Sequence, residues 1–127
     1  MISPVFVPGA PEAVGPYAHA TQVGALVFCS GQGPVDPATG ALVAGDVRAQ
    51  TRRVLANLAL VLEGQGLTLH DVAKTTVFLK DMRDFAGMND IYAEVFGPHR
   101  PARSTVAVRE IPLDALVEIE CIAVRPE

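Results

Sequence analysis

The chain has 127 residues, which fits one domain with a hydrophobic core, residues 1–127. Half of the residues are hydrophobic and 19% are charged, which excludes a disordered chain. The net charge is −4 and the basic residues are scattered, with only Arg52-Arg53 adjacent, so the basic patch that a nucleic-acid binder uses to displace counterions is missing.

Residues 2–15 are rich in Pro, Gly and Ala, with a short apolar piece at Val5–Val7 that reads as an edge strand. The breaker pair Gly15-Pro16 leads into a strand over Tyr17–Val23. Gly24 turns the chain into Ala25–Cys29, which is apolar on both faces and too short between its glycines for a helix, so a buried strand is expected. Residues 31–45 hold four glycines and two prolines and read as a loop, with a tight turn at Asp36–Gly40.

Asp46 is placed to cap a long helix. Val47, Thr51, Val54, Leu55, Leu58, Val61 and Leu62 fall on one side of it, Arg48, Arg52 and Asn57 lie off that stripe, and Gly64 or Gly66 ends it. Val72–Lys80 favours a strand. Asp84 opens a second helix carrying Phe85, Met88, Ile91, Tyr92, Val95 and Phe96 at helical spacing, and Gly97-Pro98 closes it. Strands over Arg103–Arg109 and Leu116–Arg125 follow, with a turn at Ile111–Asp114. A tight hairpin between these last two strands would set Arg103 opposite Ile122, leaving Glu118 on the order of 13 Å away.

Two helices cannot cover both faces of so large a sheet, so an α+β fold with both helices on one face is expected. The last strand carries Val117, Ile119, Cys121 and Ala123 on one side and Leu116, Ile122 and Val124 on the other. Both sides are apolar, so the uncovered face is expected to pack on another copy of the chain. Cys29 and Cys121 lie in apolar runs and read as core thiols. No basic-then-apolar leader opens the chain, and no apolar run approaches the ~20 residues that span a bilayer, so the cytoplasm is the expected location.

The anomaly in this pattern is Glu118 with Glu120 in an apolar strand. A buried carboxylate either pairs with arginine (Arg103, Arg109 or Arg125) or works as an acid–base group with a raised pKa. Arg103, after Pro101-Ala102, is suited to hold a small carboxylate through two parallel hydrogen bonds, or else to form a strand-end salt bridge. Tyr17 follows a rigid turn and either lines a pocket or packs. His19, His70 and His99 lack metal-ligand spacing and read as surface or loop histidines. Gly31-Gln32-Gly33 lacks the third glycine and following helix of a dinucleotide loop.

The stretches AVGPYAHAT (13–21), CSGQGPVDPATG (29–40), QTRRVLANLALVLEGQGLTLHDVAKTTVFLKDM (50–82), MNDIYAEVF (88–96), PARSTVAV (101–108) and VEIECIAV (117–124) stand in an order and spacing that resemble the RidA (YjgF-like) family over nearly the whole chain. The resemblance implies a chorismate-mutase-like α+β fold with one mixed sheet, and a homotrimer with sites between subunits. It implies hydrolytic deamination of 2-aminoacrylate and 2-iminobutanoate to 2-keto acids and ammonia, with no cofactor and no metal. Carried over by position, Arg103 anchors the substrate carboxylate and Glu118 positions or activates water. Tyr17, Ser30 and Gly31 line the pocket, and Asn89 matches an asparagine of the second helix.

Four positions depart from the family pattern. Ala18 and His19 stand where Ser-Gln is usual, Gly33 where a bulky aliphatic is common, and Thr105 where a substrate-contacting cysteine is frequent. These bear on pocket size and polarity, hence on substrate range. The rival reading is a non-enzymatic trimer that binds small carboxylates through Arg103, with Glu118 structural. An RNA-acting protein, a role linked to members of this family, is a further reading that the acidic charge disfavours.

Overall fold

The computed structural model describes residues 1–127. Six strands and two helices form one α+β unit: β1 (Ser3–Val5), β2 (Ala20–Val23), β3 (Leu26–Gln32), α1 (Val47–Glu63), β4 (Val72–Leu79), α2 (Phe85–Phe96), β5 (Ala102–Ala107) and β6 (Val117–Val124). The strands make a single mixed sheet in the order β1-β2-β3-β6-β4-β5. β4 and β5 pair in parallel and every other pair is antiparallel. Parallel neighbours need a long crossover, which α2 supplies between β4 and β5. No helix is long and apolar enough to cross a membrane.

The last two strands do not form the expected hairpin: β4 lies between β5 and β6. The α2 crossover commits β5 to the outer side of β4, and β6 returns through Pro112–Asp114 to fill the gap between β3 and β4.

Both helices cover the same face. Alternation along β4 buries Thr75, Val77 and Leu79 beneath them, and along β6 it buries Val117, Ile119, Cys121 and Ala123. These join Leu55, Leu58 and Leu62 of α1 and Met88, Tyr92 and Phe96 of α2 in the core. Asp46 caps α1, accepting from the Ala49 N–H at 3.1 Å. Gly97 ends α2 at φ 62°, a left-handed turn that a side chain would resist. The other face is open. Leu26 and Phe28 on β3, Val124 on β6 and Val106 on β5 are exposed there in the protomer, on the face expected to pack on another copy.

Three further expectations change. Val5–Val7 is not all strand, because the Val7 N–H leaves the ladder to donate to His19 Nδ1 at 2.8 Å. His19 is therefore not a surface residue: it is buried, and its Nε2 donates to the Pro11 carbonyl at 2.7 Å, which straps the N-terminal segment to β2. Asn57 is fully buried although it lies off the apolar stripe of α1, since its amide donates to the carbonyls of Gly33 and Val35 and so fastens the 33–45 loop to the helix. Cys29 and Cys121 are buried free thiols on adjacent strands, as expected.

Candidate active site

The candidate residues fall into two groups on opposite faces of the sheet. Arg103 is the second residue of β5, the edge strand, and points to the helix side. Its guanidinium carbon lies 4.7 Å from the Tyr92 ring centroid and 5.6 Å from that of Phe85, both on α2. The Tyr92 hydroxyl shares a 2.7 Å hydrogen bond with Thr75 Oγ1, so the ring beneath the guanidinium is itself fixed. Burial pushes the Tyr92 phenol above its ordinary pKa, which keeps it neutral under the cation.

Arg103 belongs to none of the four salt bridges. With Asn89, Tyr92, Ala93, Arg100 and Pro101 it lines a cavity of about 500 Å³ that no carboxylate faces. A guanidinium with stacked faces and an unpaired edge is prepared for a planar anion. Thr105 shares this side of β5, and its buried hydroxyl has no hydrogen-bond partner.

Glu118 is the second residue of β6 and lies on the open face, half-buried. The structural pairing of Glu118 and Glu120 with Arg103, Arg109 or Arg125 does not occur in the protomer: neither carboxylate enters a salt bridge, and Arg125 bonds Gln65 and Gln22 instead. Burial raises the Glu118 pKa, and the charge of Glu120 adds to the rise. Both glutamates, with Glu110, Phe78 and Pro112 among others, line a smaller pocket of about 190 Å³.

A β-bulge brings Gly31 to Glu118. Between Cys29 and Gln32 three steps on β3 oppose two steps on β6, from Cys121 to Ile119. The extra residue displaces the backbone at Ser30-Gly31, and a Cβ on Gly31 would stand 2.6 Å from Glu118 Oε2. Any side chain there would have to push the Glu118 carboxylate out of its present position. Ser30 is tied to the segment carrying Tyr17: its Oγ donates to the Ala18 carbonyl at 2.7 Å and its N–H to the His19 carbonyl at 3.0 Å. Tyr17 is exposed, with its hydroxyl accepting from the Val14 N–H at 3.4 Å.

One protomer thus brings Arg103 together with Asn89, and Glu118 with Gly31, but it does not bring Arg103 to Glu118. Arg103 is level with Cys121 through Thr75, and Glu118 is level with Val106 through Phe78. Two strand spacings and three residues separate their Cα atoms, about 14 Å at ordinary sheet dimensions, with the side chains on opposite faces. Sequence reasoning missed Arg100, Phe85 and Tyr92 as part of the site. The two aromatics satisfy the apolar period of α2, so nothing in the pattern separates them from core residues.

The family model described as endoribonuclease L-PSP matches residues 8–125. The chain is 51% identical to a RutC family protein of Pyrococcus horikoshii over 119 residues, 94% of each chain. It is 50% identical to the 2-iminobutanoate/2-iminopropanoate deaminase of Salmonella typhimurium, covering 91% of this chain and 92% of that protein. The crystal structure of the YjgF gene product from E. coli superposes with a TM-score of 0.92 at 44% identity, covering 98% of this chain and 99% of that one. A match over residues 8–125, relatives of half identity along nearly their full length and a shared backbone show that the chain belongs to the endoribonuclease L-PSP family, the RidA (YjgF-like) family that its motifs resemble.

Proposed function

We propose that this chain hydrolyses small 2-imino acids and their enamine tautomers, such as 2-iminobutanoate and 2-aminoacrylate, to 2-keto acids and ammonia, at sites completed between copies of the chain. The observation that carries the reading is Arg103: an unpaired guanidinium, stacked on Tyr92, at a cavity free of carboxylates. The deaminase named among its half-identical relatives supplies the chemistry that such an anchor serves.

In this reading Arg103 holds the substrate carboxylate through two parallel hydrogen bonds. Glu118 from a neighbouring copy holds a water beside the imine carbon. It takes a proton as the water oxygen bonds to carbon and passes it to the nitrogen, giving a carbinolamine. It then carries the hydroxyl proton to the same nitrogen as the C–N bond breaks, so that ammonia departs and the carbonyl forms. A raised pKa suits Glu118 to both transfers, and positioned acid–base help of this kind is worth roughly 10² to 10⁴-fold. Tyr17, Ser30 and Gly31 wall the Glu118 side, Asn89 and Thr105 the Arg103 side.

A second copy is needed because the two groups face opposite ways in one protomer. The open face that carries Glu118 also exposes Leu26, Phe28 and Val124, a patch suited to burial in an assembly, and Arg103 sits on the edge strand within reach of a neighbour. A homotrimer is the assembly we propose. The test is a coupled assay in which an amino-acid oxidase releases the imine and its decay is followed. Wild type accelerates the decay, and Arg103→Ala at the wild-type rate would overturn the assignment. Glu118→Gln that binds a keto acid normally but does not turn over separates an enzyme from a binder.

A further inference from the structure

Arg100 lines the same cavity as Arg103, three residues earlier in the chain. Neither arginine belongs to a salt bridge, and none of the six lining residues is acidic. Two uncompensated guanidinium groups therefore share one cavity in a chain whose net charge is −4, so the local field opposes the overall sign. One carboxylate neutralises one of them.

Each cation is held from behind. Arg103 rests on its two aromatic rings. Arg100 donates through Nη1 to the carbonyls of Gly97 and His99, just beyond the end of α2, where the helix dipole also favours a cation. Pro101 between them fixes one backbone torsion, which limits how far the two Cα atoms can move apart or together. Three extended residues span at most about 10 Å between Cα atoms, and side chains converging from such positions can grip the two ends of a four- or five-carbon diacid. The cavity, about 500 Å³, is larger than a three-carbon acid fills.

We infer that this site prefers small 2-imino diacids, the imines formed by oxidising aspartate- or glutamate-type amino acids, with Arg100 reading the distal carboxylate while Arg103 holds the one beside the imine. The inference rests on the role proposed for Arg103. The reaction is unchanged: water adds across C=N, the C–N bond breaks, and a 2-oxo diacid and ammonia leave.

The test compares imines released in the assay from aspartate and from 2-aminobutyrate, with wild type and Arg100→Gln. Arg100 is exposed, so the variant keeps its fold, which circular dichroism checks. The ratio of kcat/KM for the diacid imine over the monoacid imine is expected to fall by on the order of tenfold in Arg100→Gln, as a charge-assisted contact is lost, with Arg100→Lys intermediate. An unchanged ratio overturns the inference. If wild type accelerates neither imine, the hydrolase reading fails on its own, and calorimetric titration then decides the diacid preference. Tighter binding of 2-oxoglutarate than of 2-oxobutanoate, lost in Arg100→Gln, upholds it; equal binding overturns it.

Discussion

Tyr92 supports Arg103 from below, with the guanidinium carbon 4.7 Å from its ring centroid and its hydroxyl bonded to Thr75 Oγ1 at 2.7 Å. The ring contributes through its face and the hydroxyl through the position of the ring, so two substitutions separate them. Tyr92→Leu removes the cation–π contact, about 0.5–2 kcal/mol, and is expected to raise KM several-fold with a smaller change in kcat. Tyr92→Phe keeps the face and leaves the buried Thr75 hydroxyl without a partner, so it should lower stability by about 1 kcal/mol with little change in KM. Steady-state kinetics and urea unfolding read the two effects. Equal KM for Tyr92→Leu and wild type would remove Tyr92 from the site.

Glu118 sets the expected pH dependence. As the base it acts ionised, and its pKa is raised by burial first and by Glu120 second. Activity should therefore fall as pH drops through a value above the ordinary glutamate pKa of about 4.3. Stability runs the other way. The folded state holds the Glu118 proton more tightly than the unfolded state, so this group's contribution to stability declines as pH rises through that same window. Glu118→Gln should abolish the acidic limb of the rate profile in whatever activity remains. It should also gain on wild type in Tm as pH increases. Parallel Tm curves for the two proteins would place the Glu118 pKa at its ordinary value.

Asn57 joins α1 to the 33–45 loop through two amide donors, to Gly33 O at 3.0 Å and Val35 O at 2.8 Å. Asn57→Leu strands two carbonyls in a buried setting and should cost about 2–4 kcal/mol, seen as a lower urea midpoint at unchanged slope. A midpoint shift below the error of the measurement would mean that the loop is held by other contacts.

The periodic elements were legible because their signals are local. The apolar stripes of α1 and α2, the Asp46 cap and the alternation of β6 each appear within one stretch of chain. Glu118 stood out for the same reason, a carboxylate in an apolar strand. What escaped depended on distant partners. Asn57 looks like a solvent residue until the carbonyls of the preceding loop are above it, and His19 looks exposed until Val7 and Pro11 close on its two nitrogens. The β5–β6 hairpin failed because strand order is set by the crossover through α2 and not by adjacency in the chain. The face of Arg103 followed from that order, so a separation from Glu118 was legible in the sequence but the opposite facing of the two side chains was not.

Complementation between two disabled proteins tests the shared site most directly. Arg103→Ala and Glu118→Gln are each expected to be nearly inactive alone. If the guanidinium of one copy works with the carboxylate of another, every mixed trimer carries one intact site, and random exchange at equal amounts restores roughly a quarter of all sites. Activity rising toward that level after subunit exchange is the outcome this account predicts. A mixture no more active than its two parents, with exchange confirmed by mass, would contradict it.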